Sequence, residues 1–437
     1  MTAVQHPARD GTNGPGRPPA RVPFPVVDEV ARHCRQDEEP ETVHIEVHLP
    51  GRLDRARLTA AFTAALRRHP RILMREAAGP WYRRRYEWEL TGDPDVEVVT
   101  FPPPGRDALD RARRRALDSA PPLTASPPIR LEVVEDDGSH GTVLFLTVNH
   151  TALDGPACLR VLATAAELYG GRDNAPAAPP VRVPDPSPAA APQAASGWAP
   201  PARVARGTPE SSPGNGLLVT ELPVPHRPKG SPYTVNDQLM VATALMITDW
   251  NREHGARPRP LRITMPVDDR PRGTDMPIGN GTRLVEVPFA PEELDPARMR
   301  ELLRRTADRT RALKSQPRPQ LGHGAALLTA PVVPVAWRAA ATRGLRRAVA
   351  PWTSTTLLSN IGRIPYSLDF GEDAGRAHAV WFSAPARMPR GLTVTTASTA
   401  GRLHVALRWS RSLLGHGDGA RLRELFEHRL HATQEGP

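Results

Sequence analysis

The sequence predicts an α/β (α+β) chain of two lobes, with mixed sheets and flanking helices. Three observations predict it. The chain has 437 residues, more than a single core usually organises. Residues 172–215, RDNAPAAPPVRVPDPSPAAAPQAASGWAPPARVARGTPESSPGN, read as a Pro/Ala/Ser-rich linker between two halves of similar size. Both halves alternate strand and helix patterns, and several strands adjoin as hairpins, which favours mixed sheets over a run of βαβ units.

The expected organisation is a disordered N-terminus (1–22, rich in Pro, Gly and Arg), an N-terminal lobe (23–171), the linker (172–215) and a C-terminal lobe (216–437). In the first lobe TVHIEVHLPG alternates with period two, as a half-buried strand does. In LDRARLTAAFTAALRRHP, Leu58, Ala61, Phe62, Ala65 and Leu66 share one helical face, and Pro70 marks the stop. WYRRRYEWEL reads as a solvated strand, VEVVTF as a strand, and RDALDRARRRALDSA as a charged, solvent-facing helix. IRLEVVEDDGSHGTVLFLTVNH reads as a hairpin. DGPACLRVLATAAELYGG has helical spacing and ends on glycines, as a helix C-terminus should.

The second lobe restarts with the strand GLLVTELPV. TVNDQLMVATALMITDWNREHG is a helix with Thr234, Asn236 or Asp237 available as its cap. PLRITMPVDDR and TRLVEVPF read as strands, and ELDPARMRELLRRTADRTRALKSQ as a long polar helix. A helical segment follows, interrupted by Pro331 and Pro334. STTLLSNIGRIP, AHAVWFSAP and GLTVTTASTAGRLHVALRWS are strands, the last a hairpin turning near Gly401. DGARLRELFEHRLHAT closes the chain as a helix.

Composition excludes several classes of function. The net charge of +10 invites a nucleic-acid reading, but of 57 Lys and Arg only Lys229 and Lys314 are lysines. That bias, with 51 prolines and 33 glycines, reflects GC-rich codon usage. The basic residues are also interleaved with acids, so no nucleic-acid partner is expected. Two cysteines, Cys34 and Cys158, make neither a disulfide framework nor a metal cluster. No apolar run has the length of a spanning helix, and the N-terminus lacks the apolar core of a signal peptide. The expectation is a soluble, cytoplasmic monomer.

Chemistry concentrates in LTVNHTALDGPACL. An apolar strand ends in His150, and Asp154-Gly155 follows at the start of a helix. A neutral imidazole there can accept a proton near neutral pH. Gly155 permits a tight turn or a close backbone approach. On that pattern alone, an ordinary loop histidine beside a turn is the simpler reading.

Context adds to it. NHTALDG resembles the His-x3-Asp-Gly signature of the CoA-dependent acyltransferase superfamily. That group includes nonribosomal peptide condensation domains, wax-ester and diacylglycerol acyltransferases, polyketide-associated acyltransferases and the plant BAHD enzymes. LPGRLDRARLTAAFTAALRRHPRI, TVNDQLMVATAL, MPVDDRPRG with IGNGT, LLSNIGRIP and FSAPARMPRGLTVTTASTAGRLHVAL are similar to further segments of these proteins, in the same order. The resemblance covers most of residues 24–434.

The resemblance implies two chloramphenicol-acetyltransferase-like lobes in a V, with an active-site tunnel between them. His150 would be the general base, taking a proton from a hydroxyl or amine acceptor as it attacks a thioester donated by CoA or a carrier protein. Asp154 would pair with Arg270 and hold the loop's shape, a planar guanidinium suiting a bidentate contact. Gly155 would be required by the backbone. Ser359 and Asn360, and more distantly Asn280, would bond substrate or a developing oxyanion; for Ser359 and Asn360, residues at a ladder end before a glycine turn is the other reading. Asp369-Phe370-Gly371 resembles the start of a structural BAHD motif away from the histidine. No metal or bound cofactor is implied, because the thioester is already activated, and arginines at the tunnel mouth would receive the donor's phosphates.

There are departures. Condensation domains carry two adjacent histidines, and the first is Asn149 here; single-histidine members are common among the ester-forming branches. No adenylation domain or phosphopantetheine-attachment motif adjoins, so a free-standing enzyme of bacterial specialised metabolism or lipid synthesis is expected. The alternative is a catalytically inactive domain that binds or recruits a carrier protein.

Overall fold

Three sheets organise the described part of the computed structural model, which comprises residues 20–36, 38–135, 141–176, 199–273, 275–316 and 325–434. In chain order the strands are β1 (Arg21–Pro23), β2 (Thr42–Leu49), β3 (Met74–Glu76), β4 (Glu87–Leu90), β5 (Val99–Thr100), β6 (Ile129–Glu135), β7 (Thr142–Asn149), β8 (Asn215–Pro223), β9 (Leu261–Val267), β10 (Arg283–Phe289), β11 (Thr356–Arg363), β12 (Ala379–Ser383), β13 (Leu392–Thr399) and β14 (Arg402–Ser410). The helices are α1 (Val26–His33), α2 (Arg55–Arg68), α3 (Ala108–Asp118), α4 (Gly155–Gly170), α5 (Val235–Glu253), α6 (Met299–Ser315), α7 (Ala325–Leu328), α8 (Val335–Val349) and α9 (His416–Ala432).

The first half builds a five-stranded sheet, β12-β2-β7-β6-β5. Every residue of β7 is buried, because helices cover both faces of this sheet. Leu58, Phe62 and Leu66 of α2 and Leu159 and Leu162 of α4 share a core with Ile45, Leu144 and Leu146. Ala108, Ala112 and Ala116 of α3 pack on the other face, against Val134, Val143 and Phe145. A small sheet, β1-β4-β3, flanks this half. The second half builds a six-stranded sheet, β10-β9-β11-β13-β14-β8, with α5 and α9 packed on it around Trp250, Trp409 and Phe426. Thr234 caps α5, its backbone N–H donating to Asp237 at 2.8 Å.

Several local expectations change. Residues 1–19 lie outside the described residues, but Arg21–Pro23 form β1, paired with Glu87–Glu89. WYRRRYEWEL is not a solvated strand: Trp88 is buried and stacks on Phe24 with centroids 4.0 Å apart. VEVVTF narrows to the two residues of β5, which run parallel to β6 across α3. The helix α3 is amphipathic rather than solvent-facing, because its alanines let it lie close on the sheet.

Of the expected linker, 177–198 lie outside the described residues, and its ends pack. Asn174 is buried and accepts hydrogen bonds from Ser367 Oγ (2.7 Å) and the Leu368 N–H (3.1 Å). Ala202 and Val204 join the second core, and Trp250 Nε1 donates to the Ala205 carbonyl at 2.9 Å.

The second half passes chain to the first. After β11 the polypeptide leaves the second sheet, and Leu368, Phe370 and Phe382 enter the first core. Along the way β12 pairs antiparallel with β2, from Ala379 opposite His48 to Ser383 opposite His44. Asp369-Phe370-Gly371 belongs to this excursion, with Phe370 buried beside Tyr169 of α4.

Candidate active site

A cavity of about 1010 Å³ is lined by both halves. His150 reaches it from the end of β7, Asp154 and Gly155 from the start of α4, Val27 and Val30 from α1, and Ser359 and Asn360 from β11.

The loop after β7 is fixed by its own backbone. The His150 N–H donates to the Glu41 carbonyl at 2.9 Å, and the Ala152 N–H to the Asn149 carbonyl at 3.0 Å. The Asn149 amide donates to the Pro121 carbonyl (2.8 Å) and accepts from the Thr151 N–H (3.1 Å), so it closes the turn. The imidazole is half-buried, and its Nδ1 lies 3.0 Å from the Leu153 carbonyl oxygen. A carbonyl can only accept, so Nδ1 carries a proton, and in the neutral ring the lone pair is then on Nε2. That is the tautomer a general base needs.

Asp154 is buried and ties three elements together. Its Oδ1 accepts from the Ala157 N–H at 3.0 Å, capping α4. Its Oδ2 accepts from Arg270 Nη2 at 2.7 Å and from the Gly281 N–H at 2.8 Å. The structure therefore brings Asp154 and Arg270 together, with one difference from expectation. The two-nitrogen contact of the guanidinium goes to Asp268, at 2.9 and 3.0 Å, and Asp154 receives a single bond. Arg270 Nη1 binds the carbonyls of Pro277 (3.2 Å) and Gly279 (3.1 Å). The two carboxylates push the Arg270 pKa up against the opposing effect of burial.

Two glycines belong to this arrangement. A Cβ on Gly155 would stand 3.3 Å from the Phe382 ring, so close approach of β12, not a turn, is the local constraint. A Cβ on Gly281 would lie within van der Waals overlap of the Arg270 guanidinium, about 2.3 Å from Nε, and Arg270 is held too firmly to yield. Gly281 and Asp268 escape a sequence reading fixed on charged pairs; IGNG and DDR were their signals.

The remaining candidates separate. Asn280 donates to Asp28 Oδ1 (2.9 Å) and to the Thr151 (3.0 Å) and His150 (3.3 Å) carbonyls, so it braces the histidine loop. Asn360 uses its carbonyl oxygen for the Gly362 N–H (2.9 Å) and Thr396 Oγ1 (3.1 Å), and its amide for Asn236 (3.2 Å). These bonds hold a bulge in β11 between Asn360 and Gly362. Ser359 lines the cavity, half-buried.

Asp28 was missed in the sequence. It is buried and accepts from Trp88 Nε1 (2.9 Å) and Asn280, and burial pushes its carboxyl up to about 6. No group of His, Cys, Asp or Glu among the described residues could hold a metal ion, and no helix among them is long and apolar enough to cross a membrane.

No protein-family profile matches the chain. Two curated proteins of Mycobacterium tuberculosis are similar to it: uncharacterized protein MT2362 (strain CDC 1551 / Oshkosh) and uncharacterized protein Rv2305 (strain ATCC 25618 / H37Rv). Each is 28% identical over 382 residues, spanning 79% of this chain and 84% of the relative. Among solved structures, the condensation domain of the Monacolin K polyketide synthase MokA matches with TM-score 0.62 and 13% identity, over 96% of this chain and 98% of that one. The first condensation domain of the CDA synthetase matches with TM-score 0.61 and 15% identity, over 97% of each chain. A variant of the starter condensation domain of rhizomide synthetase RzmA, solved with C8-CoA and Leu-SNAC, matches with TM-score 0.64 and 13% identity, over 94% and 93%. A cavity shared by two halves, a histidine loop at its wall and a strand passed from one half to the other thus sit on the fold of the condensation domains.

Proposed function

We propose that this chain is an acyltransferase of the condensation type, without a resident metal or redox cofactor. It moves an acyl group from a CoA or carrier-protein thioester to a hydroxyl or amine. The observation that carries the proposal is the His150 side chain. It lines the cavity with Nδ1–H directed to the Leu153 carbonyl, which leaves Nε2 as the proton acceptor. In the proposed reaction Nε2 takes the proton of the acceptor as its oxygen or nitrogen attacks the thioester carbonyl. The collapse of the resulting adduct expels the thiolate, which recovers that proton. In this reading Ser359, which lines the cavity from β11, donates to the developing oxyanion. Asp154, Arg270, Asp268 and Asn280 keep the loop in register. An RzmA neighbour is crystallised with an acyl-CoA, which supports a thioester donor here.

The test is release of free thiol from a panel of acyl-CoA and acyl-pantetheine thioesters with pooled alcohols and amines. His150→Ala should lower the rate by roughly 10²- to 10⁴-fold with the fold intact. Release that is indifferent to His150 sinks the assignment of the base. No release with any donor, together with tight binding of an acylated carrier protein, would favour the recruiting domain instead.

A further inference from the structure

The loop of residues 384–391, between β12 and β13, forms part of the cavity wall and carries two arginines. Arg387 pairs with the Glu41 carboxylate, one residue's backbone away from His150. Arg390 has a different environment. Its Nε and Nη2 donate to Ser354 Oγ at 3.2 and 2.9 Å, and Nη2 also to Thr264 Oγ1 at 3.3 Å. Among the described residues no carboxylate lies within 4.0 Å of it, and Nη1 makes no hydrogen bond.

Each acid of the cavity wall is already engaged elsewhere. Glu41 is paired with Arg387, Asp154 and Asp268 with Arg270, and Asp269 with Arg283; Asp237 caps α5 and accepts from Thr310. The charges around Arg390 are Arg387, Arg346 and Arg203, against one acid, Glu286, which acts from beyond ion-pair distance and is itself paired with Arg262 at 3.5 Å. Arg203 itself donates to backbone carbonyls, among them Thr353 at 3.1 Å. Burial first, then Arg387, pushes the Arg390 pKa down to about 10, which leaves the group charged at neutral pH. A half-buried guanidinium whose hydrogen bonds go only to hydroxyls favours an anion at its open side. The Ser354 and Thr264 hydroxyls, both buried and 2.6 Å apart, fix one edge of the guanidinium and leave Nη1 for a ligand.

We propose that Arg390, oriented by Ser354 and Thr264, is a carboxylate subsite of the cavity, so that one substrate carries a carboxylate away from the reacting atoms. That carboxylate belongs either to the far end of the acyl chain or to the acceptor. Its identification as part of a substrate rests on the acyl-transfer reading; the subsite itself does not.

The experiment is calorimetric binding of one substrate class at a time, which needs no turnover. One arm uses a chain-length series of ω-carboxyacyl-pantetheines and their methyl esters. The other uses hydroxy and amino acids and their primary amides. With wild type, at least one acid should bind roughly 10- to 100-fold tighter than its neutral partner. The arm in which this occurs identifies the substrate. Arg390→Met should abolish the preference and leave the neutral ligands' affinity unchanged, and Arg390→Lys should restore part of it. If acids and neutral partners bind wild type alike, or the preference survives in Arg390→Met, there is no subsite. If Arg390→Met weakens both partners equally, Arg390 is only a brace for Ser354 and Thr264. Charge-selective binding without His150-dependent thiol release would sink the acyl-transfer reading and keep the subsite; the reverse result would sink the subsite alone.

Discussion

Arg270 and Arg390 are both enclosed, both line or border one cavity, and differ in what they face. Arg270 meets two carboxylates and two carbonyls; Arg390 meets two hydroxyls. A guanidinium whose charge is matched within the protein is part of the architecture. One whose charge is unmatched at a cavity wall is a demand on whatever enters. Asp28 is the mirror case on the other side of the histidine loop: a buried carboxylate held by two neutral N–H donors.

The largest effect should come from Arg270→Met. It leaves Asp154 and Asp268 without their cation, and loss of one partner from a buried pair costs about 3–5 kcal/mol. Urea unfolding measures this. A loss below about 1 kcal/mol would mean that water already compensates the two acids, and the contrast with Arg390 would vanish.

Asp28 gives the next effect, and its sign follows from burial. Its folded pKa of about 6 lies above the ordinary 3.8, so the native state holds the proton more tightly. The stability gained by protonation is complete below pH 3.8 and is lost as pH rises through about 6. Asp28→Asn removes that loss. Relative to wild type it should gain stability between pH 4 and 7, by at most about 3 kcal/mol. The carboxylate of Asp154 raises the Asp28 pKa and Arg71 lowers it, and both remain in the variant. A difference between the two proteins that is flat with pH would show that Asp28 stays charged in the fold.

The smallest effect is expected from Arg390→Met. Removing a half-buried charge that has no ion-pair partner is neutral or stabilising when the replacement packs, so the change should stay within about 1 kcal/mol. Ser354 and Thr264 keep each other as partners. A loss as large as that of Arg270→Met would show that Arg390 is structural too.

What the sequence made legible follows the same division. His150, Asp154 and Gly155 are close in the chain, and their pattern survives without knowledge of the fold. Arg270 was found through its loop, but Asp268, Gly281 and the bracing role of Asn280 depend on how that loop lies against α4. Arg390 carried no signal, because in a chain so rich in arginine one more is unremarked until its neighbours are known. The helix α1 was missed for a related reason. Asp28 and Glu29 look like solvent-facing positions, yet both are buried, Glu29 against Arg338 at 2.6 Å. The strand β12 was legible as a strand from its apolar residues, but its partner β2 lies more than 300 residues earlier, beyond the reach of any local pattern.

That pairing limits how the chain can be divided. Residues 20–176 made alone would expose β2 as a bare sheet edge of eight residues, a template for aggregation. The remainder would carry Leu368, Phe370 and Phe382 with no core to enter. Each piece is incomplete in the way that donor-strand complementation repairs. A cut in the Pro-rich segment between the halves therefore yields two fragments that become folded partners only by finding each other, the second lending its strand to the first.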